Sequence, residues 1–316
     1  MRKVTVIGAG NVGSTIAYTL AVEGVANEIV IIDIKREKAE GEAMDIAQGS
    51  PFFSGSQVRA GDYADAVGSD IVIITSGVAR KPGQTRLDLA QTNVNIMRDV
   101  AAKITTYAPD AIYLVVSNPV DVMTYVLHKC SNIPEKHIIG SGTILDTARL
   151  RSCLADHFDI SQQNVHAYVF GEHGDSSFVP WSQATIASVD VEKYRQSYIA
   201  GVGANEIPPL DTDYVEQYVR TSGAQIIKNK GATFYAVALS AVHICKCIFS
   251  GVDTVLSVST MMHGDYGIDD VCLSTLAVVC NDGIKARIPA DLTEQEVEKL
   301  RHSAQCLRDV IDQVKF

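Results

Sequence analysis

Three side chains in two short stretches have the right types to move a proton and hold an acid. "GTILDTARLR" contains Asp146 and Arg149, three residues apart and so on one face of any helix that forms there. "NVHAYVFGEHGDS" contains His173. A histidine can pass a proton to a carbonyl oxygen while hydride reaches the carbon. A carboxylate bonded to the far ring nitrogen would fix the tautomer and stabilise the imidazolium. An arginine can grip a substrate carboxylate at two points. Taken singly, each has a plainer explanation: a satisfied core or surface histidine, or an ordinary Asp-x-x-Arg ion pair. The chemical explanation needs a hydride carrier.

The N-terminus supplies the signal for one. "GAGNVG" places Gly8, Gly10 and Gly13, with Asn11 and Val12 between, directly after a strand-like run and at the start of a helical pattern. The first glycine permits a turn, the second lets backbone approach a pyrophosphate, and the third lets helix and strand pack closely. The helix N-terminus then attracts the anion. Asp33 ends the second strand-like run, 20 residues after Gly13. An acid there accepts hydrogen bonds from ribose hydroxyls and repels a 2′-phosphate, which favours NAD over NADP, although Lys35 and Arg36 pull the other way.

The elements that must carry these groups follow from the pattern. "KVTVIG", "EIVIID", "DIVIIT" and "AIYLVVSN" alternate with polar or helical sequence, which predicts a parallel sheet with crossover helices. Leu89, Ile96, Met97, Val100 and Ile104 keep helical spacing between the last two. Beyond about residue 145 come irregular helices and then longer strand-like runs. The expectation is an α/β chain: a Rossmann, doubly wound parallel domain over 1–144 followed by an α+β substrate domain over 145–316. Thr293 and Glu296 predict a capping box at the start of a final amphipathic helix striped by Val297, Leu300, Leu307, Val310 and Val314.

Composition excludes several alternatives. The net charge of −10 and the lack of a long basic run argue against a nucleic-acid partner. The uncharged stretch from Val4 to Val22 resembles a signal peptide or membrane span, but its glycines and hydroxyl residues divide it into strand, turn and helix, so no membrane association is expected. Seven cysteines without a CxxC pair fit reduced thiols in a cytoplasm. No metal site is expected.

"GAGNVG", "SNPVD", "GSGTILDTARLR", "GEHGDSS" and "KGATFYA" occur in the order and separation of the lactate/malate dehydrogenase family, and the chain resembles its bacterial L-lactate dehydrogenase branch over essentially its whole length. The resemblance implies reversible, NAD-dependent reduction of a small 2-oxo acid, with NADH binding first. It implies His173 as acid/base, Asp146 as its partner and Arg149 as the carboxylate clamp. Asn118 would orient the carbonyl beside the cofactor, and Arg86 would polarise it from a closing loop hinged at Gly77 and Gly83. It also implies a role in glycolysis and fermentation, a homotetramer or dimer, and fructose 1,6-bisphosphate bound between subunits by Arg151 and His166. Arg151 lies about 200° around a helix from Arg149, and an extended 166–173 segment would put His166 and His173 on opposite faces.

One position departs from the pattern. Within "SGVARKPGQTRLD", read as a loop from Ser76 to Asp88, Arg80 stands where lactate enzymes usually carry glutamine and malate enzymes arginine. Thr233 matches lactate enzymes and should crowd a second carboxylate. The expectation is a pyruvate-preferring enzyme with side activity on oxaloacetate; malate dehydrogenase is the alternative, and a non-catalytic dinucleotide-binding protein is the competing class.

Overall fold

The protein is described by a computed structural model covering residues 1–53, 55–78, 86–202 and 207–315, with the side chains of Arg86 and Val202 outside the description. Arg80 and Gly83 therefore lie outside the described residues. The first half alternates β1 (Lys3–Ile7), α1 (Asn11–Val22), β2 (Glu28–Ile32), α2 (Arg36–Gln48), β3 (Gln57–Ala60), β4 (Ile71–Ile74), α3 (Arg86–Tyr107), β5 (Ile112–Val115), α4 (Val120–Cys130) and β6 (Ile138–Gly140). Its strands are parallel and lie in the order β3-β2-β1-β4-β5-β6. The run "IVII" of β4 is buried throughout, as a strand covered on both faces must be. The connections leave β1 and β4 in opposite directions, which opens a crevice beyond their C-terminal ends.

The second half contains α5 (Ile144–Phe158), the short strands β7 (Val165–His166), β8 (Thr185–Ile186) and β9 (Val189–Asp190), then α6 (Val191–Val202), α7 (Thr212–Lys230) and α8 (Tyr235–Ser250). It ends with β10 (Thr254–His263), β11 (Asp269–Cys280), β12 (Gly283–Ile288) and α9 (Glu294–Ile311). The three long strands form an antiparallel meander, and β10 joins β6 through Ser259 opposite Gly140. One nine-stranded sheet thus runs through both halves. That continuity, and the short parallel strands β3 and β6, are absent from the sequence pattern because each is specified by neighbours and not by a long apolar run.

Other expectations can be compared directly. The stretch from Val4 to Val22 divides into β1 and α1, and among the described residues no helix is long and apolar enough to cross a membrane. Thr293 and Glu296 form the reciprocal capping box, and Leu300 and Leu307 are buried beneath α9. Two local readings change. Arg86 to Asp88 already belong to α3, where Asp88 suits the positive end of the helix in its first turn, so the loop ends sooner than Asp88. The 166–173 segment is not one strand: β7 stops at His166, only isolated bridges follow at Phe170 and Gly171, and Gly171 has a φ of 92°. Face alternation therefore does not relate His166 to His173.

Candidate active site

The glycine cradle is built almost entirely from backbone. Gly8 turns the chain with a φ of 109°. A Cβ on Gly13 would lie 1.8 Å from the carbonyl oxygen of Gly8, so any side chain there would force strand and helix apart. A Cβ on Gly10 would meet nothing within 4 Å among the described residues. That space lies at the N-cap of α1, where no side chain caps the helix and its leading N–H groups are left for an anion. Asn11 and Val12 open the helix. Asp33 sits at the edge of the cradle: Oδ2 accepts the Ala9 N–H at 2.7 Å and Oδ1 accepts the Lys35 N–H at 2.8 Å. Backbone free to approach a pyrophosphate, an uncapped helix end and a fixed carboxylate together fit a dinucleotide.

The second group of residues converges on a cavity of about 280 Å³ lined by Asn118, Asp146, Arg149, His173 and Thr233. Asp146 and Arg149 project from α5, and Arg149 Nη1 donates to Asp146 Oδ1 at 2.9 Å. The other oxygen, Oδ2, lies 2.5 Å from His173 Nδ1. Asp146 is buried, with a side-chain exposure of 5 %, whereas His173 keeps 26 %. The Asp146 charge is the largest influence on His173 and outweighs burial and the opposing Arg149 charge, raising the imidazole to about 9. Burial pushes Asp146 up, but His173 and Arg149 more than compensate and hold it below its ordinary value. With Asp146 on Nδ1 the imidazole is biased toward its charged form, and it stands in the same cavity as a guanidinium suited to a carboxylate.

Asn118 precedes Pro119 at the exit of β5, and its carbonyl accepts the Asn93 side-chain N–H at 2.8 Å. Asn93, buried on α3, also accepts the Val78 N–H at 2.9 Å through Oδ1. It therefore ties together the turns that follow β4 and β5. Thr233 enters the cavity between α7, which ends at Gly231 with a φ of 88°, and α8. Arg86 is placed only as the first residue of α3.

Several lining residues were not identified by the sequence reading. Arg220 on α7 lines the cavity, and its Nη1 donates to the Ser177 carbonyl and to Glu216, each at 2.9 Å. Gly223, one turn on, faces Arg149: a Cβ there would lie 3.6 Å from Nη2. Asn93, Arg220 and Gly223 sit singly on amphipathic helices, where no spacing distinguishes them from other surface or core positions. Arg151 and His166 lie elsewhere. Arg151 Nε donates to the Ala167 carbonyl at 3.0 Å and its guanidinium lies over the Tyr168 ring, while His166 is exposed on β7.

Comparison with known proteins agrees along the whole chain. The family described as lactate/malate dehydrogenase, NAD binding domain, matches residues 2–140, and the lactate/malate dehydrogenase alpha/beta C-terminal domain matches residues 143–316. An L-lactate dehydrogenase of Clostridium perfringens is 44% identical over 310 residues, covering 97% of this chain and 95% of that relative. A solved lactate dehydrogenase from a Medee basin deep-sea metagenome library has a TM-score of 0.94 at 38% identity, covering 99% of each chain. The minor L-lactate dehydrogenase of Enterococcus mundtii has a TM-score of 0.93 at 36% identity, covering 100% of this chain and 99% of that one. Likeness of this extent, in sequence and in three dimensions, means that the chain belongs to the lactate/malate dehydrogenase family.

Proposed function

We propose that the protein is an NAD-dependent L-lactate dehydrogenase, reducing pyruvate to lactate and catalysing the reverse reaction. The observation that carries this reading is the 2.5 Å contact between His173 and buried Asp146, one helical turn from Arg149 and in the same cavity. When bound, NADH supplies the hydride and NAD accepts it. Arg149 takes the substrate carboxylate in a two-point, charge-assisted grip. His173 then donates its Nε2 proton to the carbonyl oxygen, or removes it from the hydroxyl in reverse. Asp146 keeps the imidazole in one tautomer and stabilises its charged form. Asn118 orients the carbonyl and Arg86 polarises it. Residues 1–144 serve the cofactor and 145–316 the substrate.

Arg80 and Thr233 decide between substrates. Arg80 could pair with the second carboxylate of oxaloacetate, an interaction typically worth about 1.5–3 kcal/mol. With pyruvate it can stay solvated, whereas a dicarboxylate cannot avoid the volume taken by Thr233. Pyruvate is therefore preferred, with oxaloacetate as a side reaction. The test is NADH oxidation across a panel of 2-oxo acids, with kcat/KM compared for pyruvate and oxaloacetate in the unmodified enzyme and in Arg80→Gln. The substitution should lower oxaloacetate turnover and spare or improve that of pyruvate. Much higher kcat/KM for oxaloacetate in the unmodified enzyme would make it a malate dehydrogenase, and inactivity across the panel would remove the dehydrogenase reading.

The reading extends to a cytoplasmic homotetramer acting in glycolysis and fermentation, with fructose 1,6-bisphosphate held by Arg151 and His166 of neighbouring subunits. Among the described residues only Nε of Arg151 has a hydrogen-bond acceptor, which leaves the ends of its guanidinium for a phosphate. Pyruvate saturation and oligomeric state, each measured with and without the bisphosphate, test this. An unchanged midpoint with the tetramer already complete would remove the effector.

A further inference from the structure

His173 is flanked by two carboxylates, and the account above uses only Asp146. The other, Asp121, belongs to "SNPVD" and stands in the first turn of α4, where the helix dipole favours negative charge. It is 2 % exposed, and its Oδ2 accepts the backbone N–H of His173 at 2.8 Å. Its Oδ1 is shut off from solvent with no partner within hydrogen-bond distance among the described residues, and the nearby Ser259 hydroxyl favours the charged carboxylate without closing a hydrogen bond to it. A buried carboxylate left half-satisfied is costly, and helix capping does not require it to touch the segment that bears the acid/base.

We propose that Asp121 is a positioning residue for the reaction: it anchors the His173 backbone against α4 and, through its buried charge, favours the protonated imidazole. This rests on the reading of His173 as the acid/base. The charged groups acting on the pair come from each neighbouring element. Asp146 and Arg149 act on His173 from α5, Glu172 adjoins it on the same loop, and Cys272 lies close to Asp121 from β11. Burial is the largest influence on Asp121 and raises it to about 6, against the opposing effects of Ser259 and the His173 N–H. Asp121 is therefore ionised at neutral pH and becomes neutral in mild acid. Its charge raises His173 in the same direction as that of Asp146.

The deciding experiment is an NMR titration of the His173 imidazole in the full-length protein and in Asp121→Asn, alongside the pH profile of kcat/KM for lactate oxidation. Asparagine keeps an oxygen for the His173 N–H and removes the charge. The His173 midpoint should fall by roughly one unit, and lactate oxidation should reach its plateau at correspondingly lower pH, with NADH affinity and Tm little changed. Unaltered midpoint and profile in the folded variant would overturn the proposal. The unmodified protein offers a second measurement if that variant does not fold: the His173 resonance should show a further, smaller step near pH 6 as Asp121 gains its proton, and a single-step curve would count equally against it. Because the titration needs no turnover, it stays separate from the outcome of the substrate panel.

Discussion

The glycine cradle and the substrate cavity solve opposite problems. On the proposed reading the cradle works through side chains that are missing: Gly10 leaves space and Gly13 allows contact, all within six consecutive residues. The cavity, on the same reading, works through side chains that are present, carried by α5, the loop around His173, α7 and the turn before α8. The cradle is thus sensitive to added atoms, and the cavity to lost charges and protons. Damage to the first should appear in folding and cofactor affinity, and damage to the second in turnover.

The largest effect expected from that contrast is on turnover. His173→Ala should lower kcat/KM for pyruvate by about 10²–10⁴-fold, the usual contribution of a positioned acid/base, while the NADH Kd measured by fluorescence stays close to that of the unmodified enzyme. An equal collapse of NADH affinity would give His173 a structural role and break the division between the regions.

The two glycines sharpen the comparison from the other side. Gly13→Ala forces a Cβ onto the Gly8 carbonyl and should cost about 1–3 kcal/mol of stability, read as a lower Tm, together with weaker NADH binding. Gly10→Ala meets nothing within 4 Å among the described residues, so Tm should hold while NADH affinity alone falls. If both variants lost only stability, the open space at Gly10 would have no part in cofactor binding.

The smallest and most graded effect is that of pH. His173 is raised chiefly by Asp146, to about 9, so pyruvate reduction, which needs the imidazolium, should persist through neutral pH and decline as pH passes about 9. Lactate oxidation needs the neutral ring and should rise over the same interval. Asp146→Asn should move both limbs to lower pH, because the charge that favours the imidazolium has gone. Limbs that stay in place would mean that another group titrates.

Legibility in the sequence divides along the same line. The parallel sheet could be read because its central strands are dense β-branched runs, and the glycine turn because its three requirements fall within six residues. Asp146 and Arg149 could be paired because helical periodicity puts them on one face. The contact between His173 and Asp146 spans 27 residues and depends on how the loop after β7 returns to α5. Asp121 lies in a motif visible from the start, yet nothing in "SNPVD" indicates that its carboxylate ends under the His173 amide.

What the sequence by itself determined is local: the strand-turn-helix of the cradle, the acidic end of β2, the capped final helix and the residue types needed for proton transfer beside a carboxylate grip. Each rests on interactions within a few residues, where backbone sterics and helical or strand periodicity leave few choices. Only the tertiary structure decided that β10 continues the parallel sheet beside β6, that Arg220 binds the Ser177 carbonyl, and that two buried carboxylates approach one histidine from α4 and α5. Those contacts join residues far apart in the chain, and their geometry is set by the packing of whole elements around a common core, which no short window of sequence encodes.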